Sequence, residues 1–341
     1  MRDDSITIAK AIAILLMVLG HTYFSQYGNQ WINMFHMPLF FFFAGFCMKD
    51  KYLQTSSVFV RKRVIGLYKP FVKWSIVFLL FHNLFFYMNI YNGEYGFREN
   101  VSHLYDWQEY ALHLGHIFTR MSDNEQLLGG YWFLKSLFVG SIIGYFIIKK
   151  VKSRIFGGGI LLCMTIVLSL LHKEIPYFGV GAREFLASAF FVIGYYYKKL
   201  ECKFHEKWCV LPLGLFAITF GTHFYQATLL SFKWWQVIPY GATAIIGTLM
   251  VFYVSKKIVK LQTVANKWLV FIGNNTLTIL TWHMLSFKIV NLIVIYAYGL
   301  PIARLAEFPV IEEYSQQGWF LLYFFIGVIV PMGMTKIKFL K

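Results

Sequence analysis

Apolar residues in this chain fall into runs near twenty residues long, separated by short polar stretches. The runs cover about 5–24, 31–48, 71–91, 131–149, 155–172, 184–198, 208–224, 236–255, 269–292 and 319–335. A hydrocarbon core about 30 Å thick is crossed by about twenty apolar helical residues. The pattern therefore predicts an all-α, polytopic membrane bundle of about ten transmembrane helices. No internal repeat or low-complexity linker interrupts it, so one membrane domain over residues 1–341 is the simplest organisation. The longest connection, 92–130, is polar and aromatic (Tyr105, Asp106, Trp107, Glu109, Tyr110) and has room for a short surface helix.

Composition supports the same class. The chain is 58% hydrophobic, 20% aromatic and only 14% charged, with a mean hydropathy of +0.55, which excludes an ordinary soluble domain. Asp3 and Asp4 precede the first run and no small-residue cleavage site follows it, so the first span is expected to be retained rather than removed as a signal peptide. If the N-terminus is cytosolic, 24 of the 32 Lys and Arg residues fall on that side, in Arg2, Lys10, four loops and the tail. Eleven of the 16 acids, from Glu94 to Glu313, fall on or near the other. This bias predicts cytosolic termini, the 92–130 loop outside, and residence in the inner (cytoplasmic) membrane. The formal net charge of +16 is then topology and gives no reason to expect a nucleic-acid partner. Cys47, Cys163, Cys202 and Cys209 form no CxxC pair, so neither disulfides nor a cysteine metal site is indicated.

The first run carries two ionisable groups, Lys10 and His21. Eleven helical residues turn through about 1100°, about 20° past three full turns, so the two share a face about 16 Å apart along the axis. Ionisable side chains in a bilayer normally face a protein interior or a water path. Only 25–30 joins the first two runs, which brings His36, in Phe35-His-Met-Pro-Leu-Phe-Phe-Phe-Phe43, into the membrane opposite His21. Pro38 can open that helix and Gly45 lets a neighbour approach closely. A helix–helix hydrogen bond for His21 and an interfacial anchor for His36 are the structural alternatives. Lys135, Arg183 and Glu184 enter their spans at the outer level, His283 sits mid-span, and Lys288 reads as an outer anchor. Snorkelling accounts for Lys135 and a helix–helix hydrogen bond for His283 as readily as chemistry does. Glu109, His113 and His116 have a zinc-compatible spacing, but no supporting Cys or carboxylate motif accompanies them, so no metal is expected.

Arg2-Asp-Asp-Ser-Ile with Lys10-x10-His21, followed by Phe35-His-Met-Pro-Leu-Phe-Phe-Phe-Phe-Ala-Gly45, resembles the opening of the acyltransferase family 3 membrane proteins, particularly the fucose 4-O-acetyltransferase-like branch. Tyr131-Trp-Phe-Leu-Lys-Ser-Leu-Phe138, Phe190-Phe-Val-Ile-Gly-Tyr195 and Gly273-Asn-Asn-Thr-Leu-Thr-Ile-Leu-Thr-Trp-His283 resemble later family segments in the right order. Many members have Arg in place of Lys10 and Ser in place of Ala44. The resemblance implies transfer of an acyl group, usually acetyl, from cytosolic acyl-CoA (acetyl-CoA as co-substrate) to a sugar hydroxyl of a bacterial cell-envelope glycan or exopolysaccharide. A hydroxyl is a poor nucleophile, and a neutral imidazole suits the general-base role at neutral pH. On this reading His21 is the base, and His36 assists by orientation or by stabilising the oxyanion. Lys10, with Arg61, Lys62 and Arg63, meets the phosphates of CoA, although positive-inside anchoring explains the last three equally well. Trp132, Lys135, Arg183, Glu184 and His283 are the candidates for binding the acceptor. The rival reading is a transporter or flippase of an envelope glycan, which often shows inverted repeats that are not visible here. A non-catalytic assembly or sensor protein would have no need of His21.

Overall fold

The computed structural model describes residues 3–97, 101–122, 125–175 and 179–335; Arg2 and the basic tail 336–341 lie outside the described residues. The described chain is helical, with no strand and a single isolated antiparallel bridge between Ile175 and Val180. Among the described residues, six helices are long and apolar enough to cross a membrane: Asp4–His21, Gln126–Lys150, Arg154–Leu171, Trp234–Leu261, Thr276–Tyr298 and Glu312–Met334. The protein is an all-α, multi-pass membrane bundle.

Several of the ten expected spans are interrupted or short. The 31–48 run is two helices, Gln26–Asn33 and His36–Phe46, with the break at Met34-Phe35. Pro38 therefore does not open a continuous helix; it sits in the first turn of the second one, where its missing N–H costs no intrahelical bond. The 71–91 run ends at Leu80 and resumes as His82–Tyr87. The 269–292 run breaks at Asn275, between Val264–Asn274 and Thr276–Tyr298. Val210–Phe224 has 15 residues, short of a full crossing. Ala182–Lys199 carries Arg183, Glu184, Lys198 and Lys199 at its two ends. Between the runs, Trp107–Arg120 is the helix expected in the long polar connection. Its N-terminus is closed by a capping box, with Glu109 N–H donating to Asp106 Oδ1 (2.8 Å) and Asp106 N–H to Glu109 Oε2 (2.9 Å).

The chain divides into two compact units. The first comprises Met1–Leu16, Gln30–Tyr68 and Phe133–Asn274. Inside it, His36–Phe46 crosses Ala182–Lys199 at a reciprocal glycine contact: a Cβ at Gly45 would strike the Phe191 carbonyl, and one at Gly194 the Phe42 carbonyl. With no hydrophobic drive between helices in lipid, such close backbone approach is a main source of packing energy. Phe43 and Phe46 then pack edge-on against Phe252, with centroids at 5.0 and 5.5 Å. Phe59 stacks on Tyr145 at 4.4 Å, and the Tyr145 hydroxyl donates to the Tyr52 carbonyl at 2.7 Å.

The second unit comprises Met17–Asn29, Lys69–Trp132 and Asn275–Lys341. Here Thr276–Tyr298 packs on Phe320–Met334, with Gly327 set against the Phe287 ring. Lys288 is not an outer anchor. It is 3% exposed and donates to the carbonyls of Leu305 (2.9 Å) and Glu307 (2.6 Å), tying that loop to its own helix. Desolvating an ammonium is costly, so a lysine this deep requires such acceptors.

Candidate active site

His21 is the last residue of the Asp4–His21 helix, and its imidazole meets His283 in the Thr276–Tyr298 helix. The rings are parallel within 11°, with centroids 5.1 Å apart and His21 Nδ1 2.9 Å from His283 Nε2. His283 is fully buried, and its Nδ1 lies 2.9 Å from the Ile279 carbonyl and 3.1 Å from that of Leu280.

These distances fix where the protons sit. A carbonyl only accepts, so His283 Nδ1 carries the hydrogen and its Nε2 a lone pair when the ring is neutral. The bond to His21 must then be donated by His21 Nδ1–H. His21 is left with its lone pair on Nε2, the nitrogen pointing away from its partner. The pair is thus a one-way chain: backbone carbonyls hold the tautomer of His283, and His283 holds that of His21. A proton taken by His21 Nε2 produces an imidazolium whose Nδ1–H is already donated to an acceptor, the arrangement a general base requires.

Elsewhere on the helix that carries His283, the Tyr131 hydroxyl lies 2.7 Å from Thr281 Oγ1, which itself donates to the Leu277 carbonyl at 2.8 Å. Tyr131 is therefore the donor to Thr281. Phe287 meets the His283 ring edge-on at 5.7 Å. The Ser315 hydroxyl donates to the Thr22 carbonyl, one residue past His21. The helix–helix hydrogen bond weighed for His21 and for His283 is present, and it is the same bond for both.

His36 belongs to the other unit. It is buried and donates Nδ1–H to the Ile32 carbonyl at 2.8 Å, capping the preceding short helix. In neutral form its Nε2 is an acceptor, which fits orientation of a hydroxyl better than donation to an oxyanion. In the same unit Lys10, Lys198, Arg63 and Asp3 lie within electrostatic reach of the Cys47 side chain. Arg63 also lies over the rings of Phe59 (5.0 Å) and Phe191 (5.6 Å), with Nη2 3.5 Å from the Ala44 carbonyl. Lys62 donates to the Tyr52 hydroxyl at 2.8 Å, and Arg61 is exposed. Of the expected CoA-binding group, Lys10 and Arg63 both lie within electrostatic reach of Cys47, Lys62 is engaged by the Tyr52 hydroxyl, and Arg61 is exposed.

The acceptor-binding candidates divide between the units, Trp132 and His283 in the second and Lys135, Arg183 and Glu184 in the first. Trp132 opens its helix half-buried. Lys135 does not snorkel; it is 8% exposed, with Nζ close to Gly179. Arg183 Nε donates to Glu184 Oε1 at 2.9 Å, and the fully buried Glu184 also accepts from Ser136 Oγ (2.7 Å) and Gly181 N–H (2.9 Å). The Glu109 carboxylate is engaged by its helix cap and by His103 Nε2 at 2.6 Å, which, with His103 as the leading cause, holds its carboxyl below the usual range.

One buried constellation had no sequence signal. His82 Nδ1 lies 3.0 Å from Glu125 Oε2, His82 Nε2–H donates to the His103 carbonyl at 3.1 Å, and Tyr105 stacks on the imidazole. His82 and Glu125 are 43 residues apart, the first before the long connection and the second inside it, and only the fold pairs them.

No curated protein and no solved structure matches this chain. The acyltransferase domain of acyltransferase family 3 matches residues 3–336, nearly its whole length. The protein therefore belongs to that family of membrane enzymes, which transfer acyl groups other than aminoacyl groups.

Proposed function

We propose that the protein is an O-acyltransferase that moves an acyl group, acetyl by resemblance to the fucose 4-O-acetyltransferase-like branch, from cytosolic acyl-CoA to a hydroxyl of an envelope sugar. The observation that carries this reading is the tautomer chain, which leaves His21 Nε2 as the one imidazole nitrogen of the pair with an available lone pair. The acceptor oxygen attacks the thioester carbonyl as its proton passes to His21 Nε2. The tetrahedral centre collapses with cleavage of the C–S bond, and the proton leaves with the CoA thiolate. His283 is a positioning residue that does not touch the reacting atoms, and His36 is the second imidazole proposed to orient them. The cations around Cys47, Lys10 foremost, supply point charges for CoA phosphates on the side assigned to the cytosol. The charge bias of the loops supports cytosolic termini and an inner-membrane location.

The test is transfer from radiolabelled acetyl-CoA to candidate envelope glycans in membranes, at matched protein amounts. His21→Ala is expected to lower acylated product by about 10² to 10⁴-fold, the usual contribution of a general base. Undiminished transfer by that variant would remove His21 from the mechanism.

A further inference from the structure

In the first unit, a cavity of about 540 Å³ opens between the end of Arg154–Leu171, the start of Ala182–Lys199 and the 226–236 segment. Its volume lies within the range of about 300–1,000 Å³ typical of sites for organic ligands and is far larger than a lone ion needs. Lys173, Arg183 and Lys233 line it, together with Glu174, Glu184 and Gln236. By the charge bias of the loops this end faces outward, and only eight of the 32 Lys and Arg residues fall on that side. Three of those eight line this one cavity, and a fourth, Lys135, lies behind it beside Gly179. Positive-inside anchoring cannot explain basic residues gathered at the wrong face.

The walls are built. Glu184 fixes Arg183 at 2.9 Å and is itself held by Ser136 and the Gly181 N–H. Gln236 braces the opposite wall, accepting from Lys233 N–H at 2.7 Å and donating to the Tyr225 carbonyl. Lys173 and Lys233 are exposed, and among the described residues neither is ion-paired. Such ammonium groups attract carboxylates, and the neighbouring Glu174 carboxylate and Gln236 amide suit hydroxyls. A bare anion would be repelled by that carboxylate.

We propose that this cavity is a docking site for an acidic saccharide, a glycan segment carrying uronate-type carboxylates. The proposal rests on the reading above only in that a glycan visits the outer face, and its test does not use acyl transfer. Full-length protein in zwitterionic nanodiscs is titrated with fluorescently labelled oligogalacturonate and with a neutral galactan oligomer of equal length. Oligogalacturonate is expected to bind and the neutral oligomer not. The pair Lys173→Gln and Lys233→Gln should weaken binding by about ten-fold, the scale expected for two partly exposed charged contacts, whereas Lys173→Arg with Lys233→Arg should retain it. Equal binding of the two sugars, or undiminished binding by the Gln pair, would overturn the proposal. Loss of oligogalacturonate binding to the wild type in phosphatidylglycerol nanodiscs would assign the cavity to a lipid headgroup and overturn it too. Binding is read in the His21→Ala protein as well, so failure of the base assignment and failure of this site are separate results.

Discussion

Replacing His283 by Leu separates the positioning role of that residue from the chemistry assigned to His21. His283 provides the acceptor at 2.9 Å that keeps the hydrogen on His21 Nδ1. Without it, a neutral His21 can hold its proton on Nε2, where the lone pair is needed. Hydrogen bonds between membrane helices average about 0.6 kcal/mol and reach about 1.7 kcal/mol. At about 1.4 kcal/mol per decade, the active tautomer and hence transfer should fall by about 3- to 20-fold. That is well short of the loss of about 10² or more expected for His21→Ala. His283→Gln, whose amide oxygen also accepts, should recover part of the loss.

Two measurements check this. Transfer from labelled acetyl-CoA at matched protein amounts gives the ranking, expected as wild type, His283→Gln, His283→Leu and then His21→Ala. Solid-state nitrogen NMR of histidine-labelled protein reads the tautomer directly: His21 Nδ1 should be protonated in the wild type and become a mixture in His283→Leu. Full activity of His283→Leu would refute the chain of tautomers. A loss as deep as that of His21→Ala would make His283 a reacting group instead.

Four further outcomes follow from the packing and charges. Gly45→Val should destabilise the first unit by about 1–3 kcal/mol or more, because the Phe191 backbone rather than a yielding side chain occupies the space; thermal unfolding in detergent reads this. His82→Ala should cost about 3–5 kcal/mol, since it leaves Glu125 at 2% exposure without its partner, and adding Glu125→Gln should recover part of that. Lys10→Ala should raise the acyl-CoA concentration needed for half-maximal transfer with little change in maximal rate, and Lys10→Arg should retain most activity. His205, between two helices on the side assigned to the cytosol, has its pKa lowered from 6.5 to about 4 by burial first and by Lys256 next. The unfolded chain then takes up a proton at a higher pH than the folded one, so local stability is full above about pH 6.5 and declines as pH falls toward 4. Hydrogen exchange over 203–208 should rise across that window, and His205→Phe, which keeps the stack on Phe252, should abolish the dependence.

The fold class was readable because lipid imposes it: every backbone group must be satisfied within the chain, so apolar runs become helices. The tight approach at Gly45 was readable for the same kind of reason, since a glycine in an apolar run near Phe-rich sequence marks a close crossing. The interruptions were less visible. Asn275 and the Met34-Phe35 step have no proline at the break, and Pro38, the obvious breaker, is accommodated in a first turn. Hydropathy reports whether a segment prefers lipid, not whether its hydrogen-bond ladder is continuous.

The site divides along a similar line. His21 stood out because it shares a face with Lys10 on one helix, and geometry within a helix is local. Its partner could not be found that way, being 262 residues distant. His283 looked like a satisfied mid-span histidine, and it is one; what the sequence could not supply is the order of the bonds. Had Nε2 of His283 met the backbone carbonyls and Nδ1 met His21, the same two residues would still have been joined. Had a side-chain hydroxyl stood in place of the Ile279 and Leu280 carbonyls, either nitrogen of His283 could have carried the hydrogen. Because those groups only accept, the proton on His283 is committed inward, the proton on His21 is committed to His283, and the remaining lone pair of the pair is on His21 Nε2. That asymmetry distinguishes a base from its support.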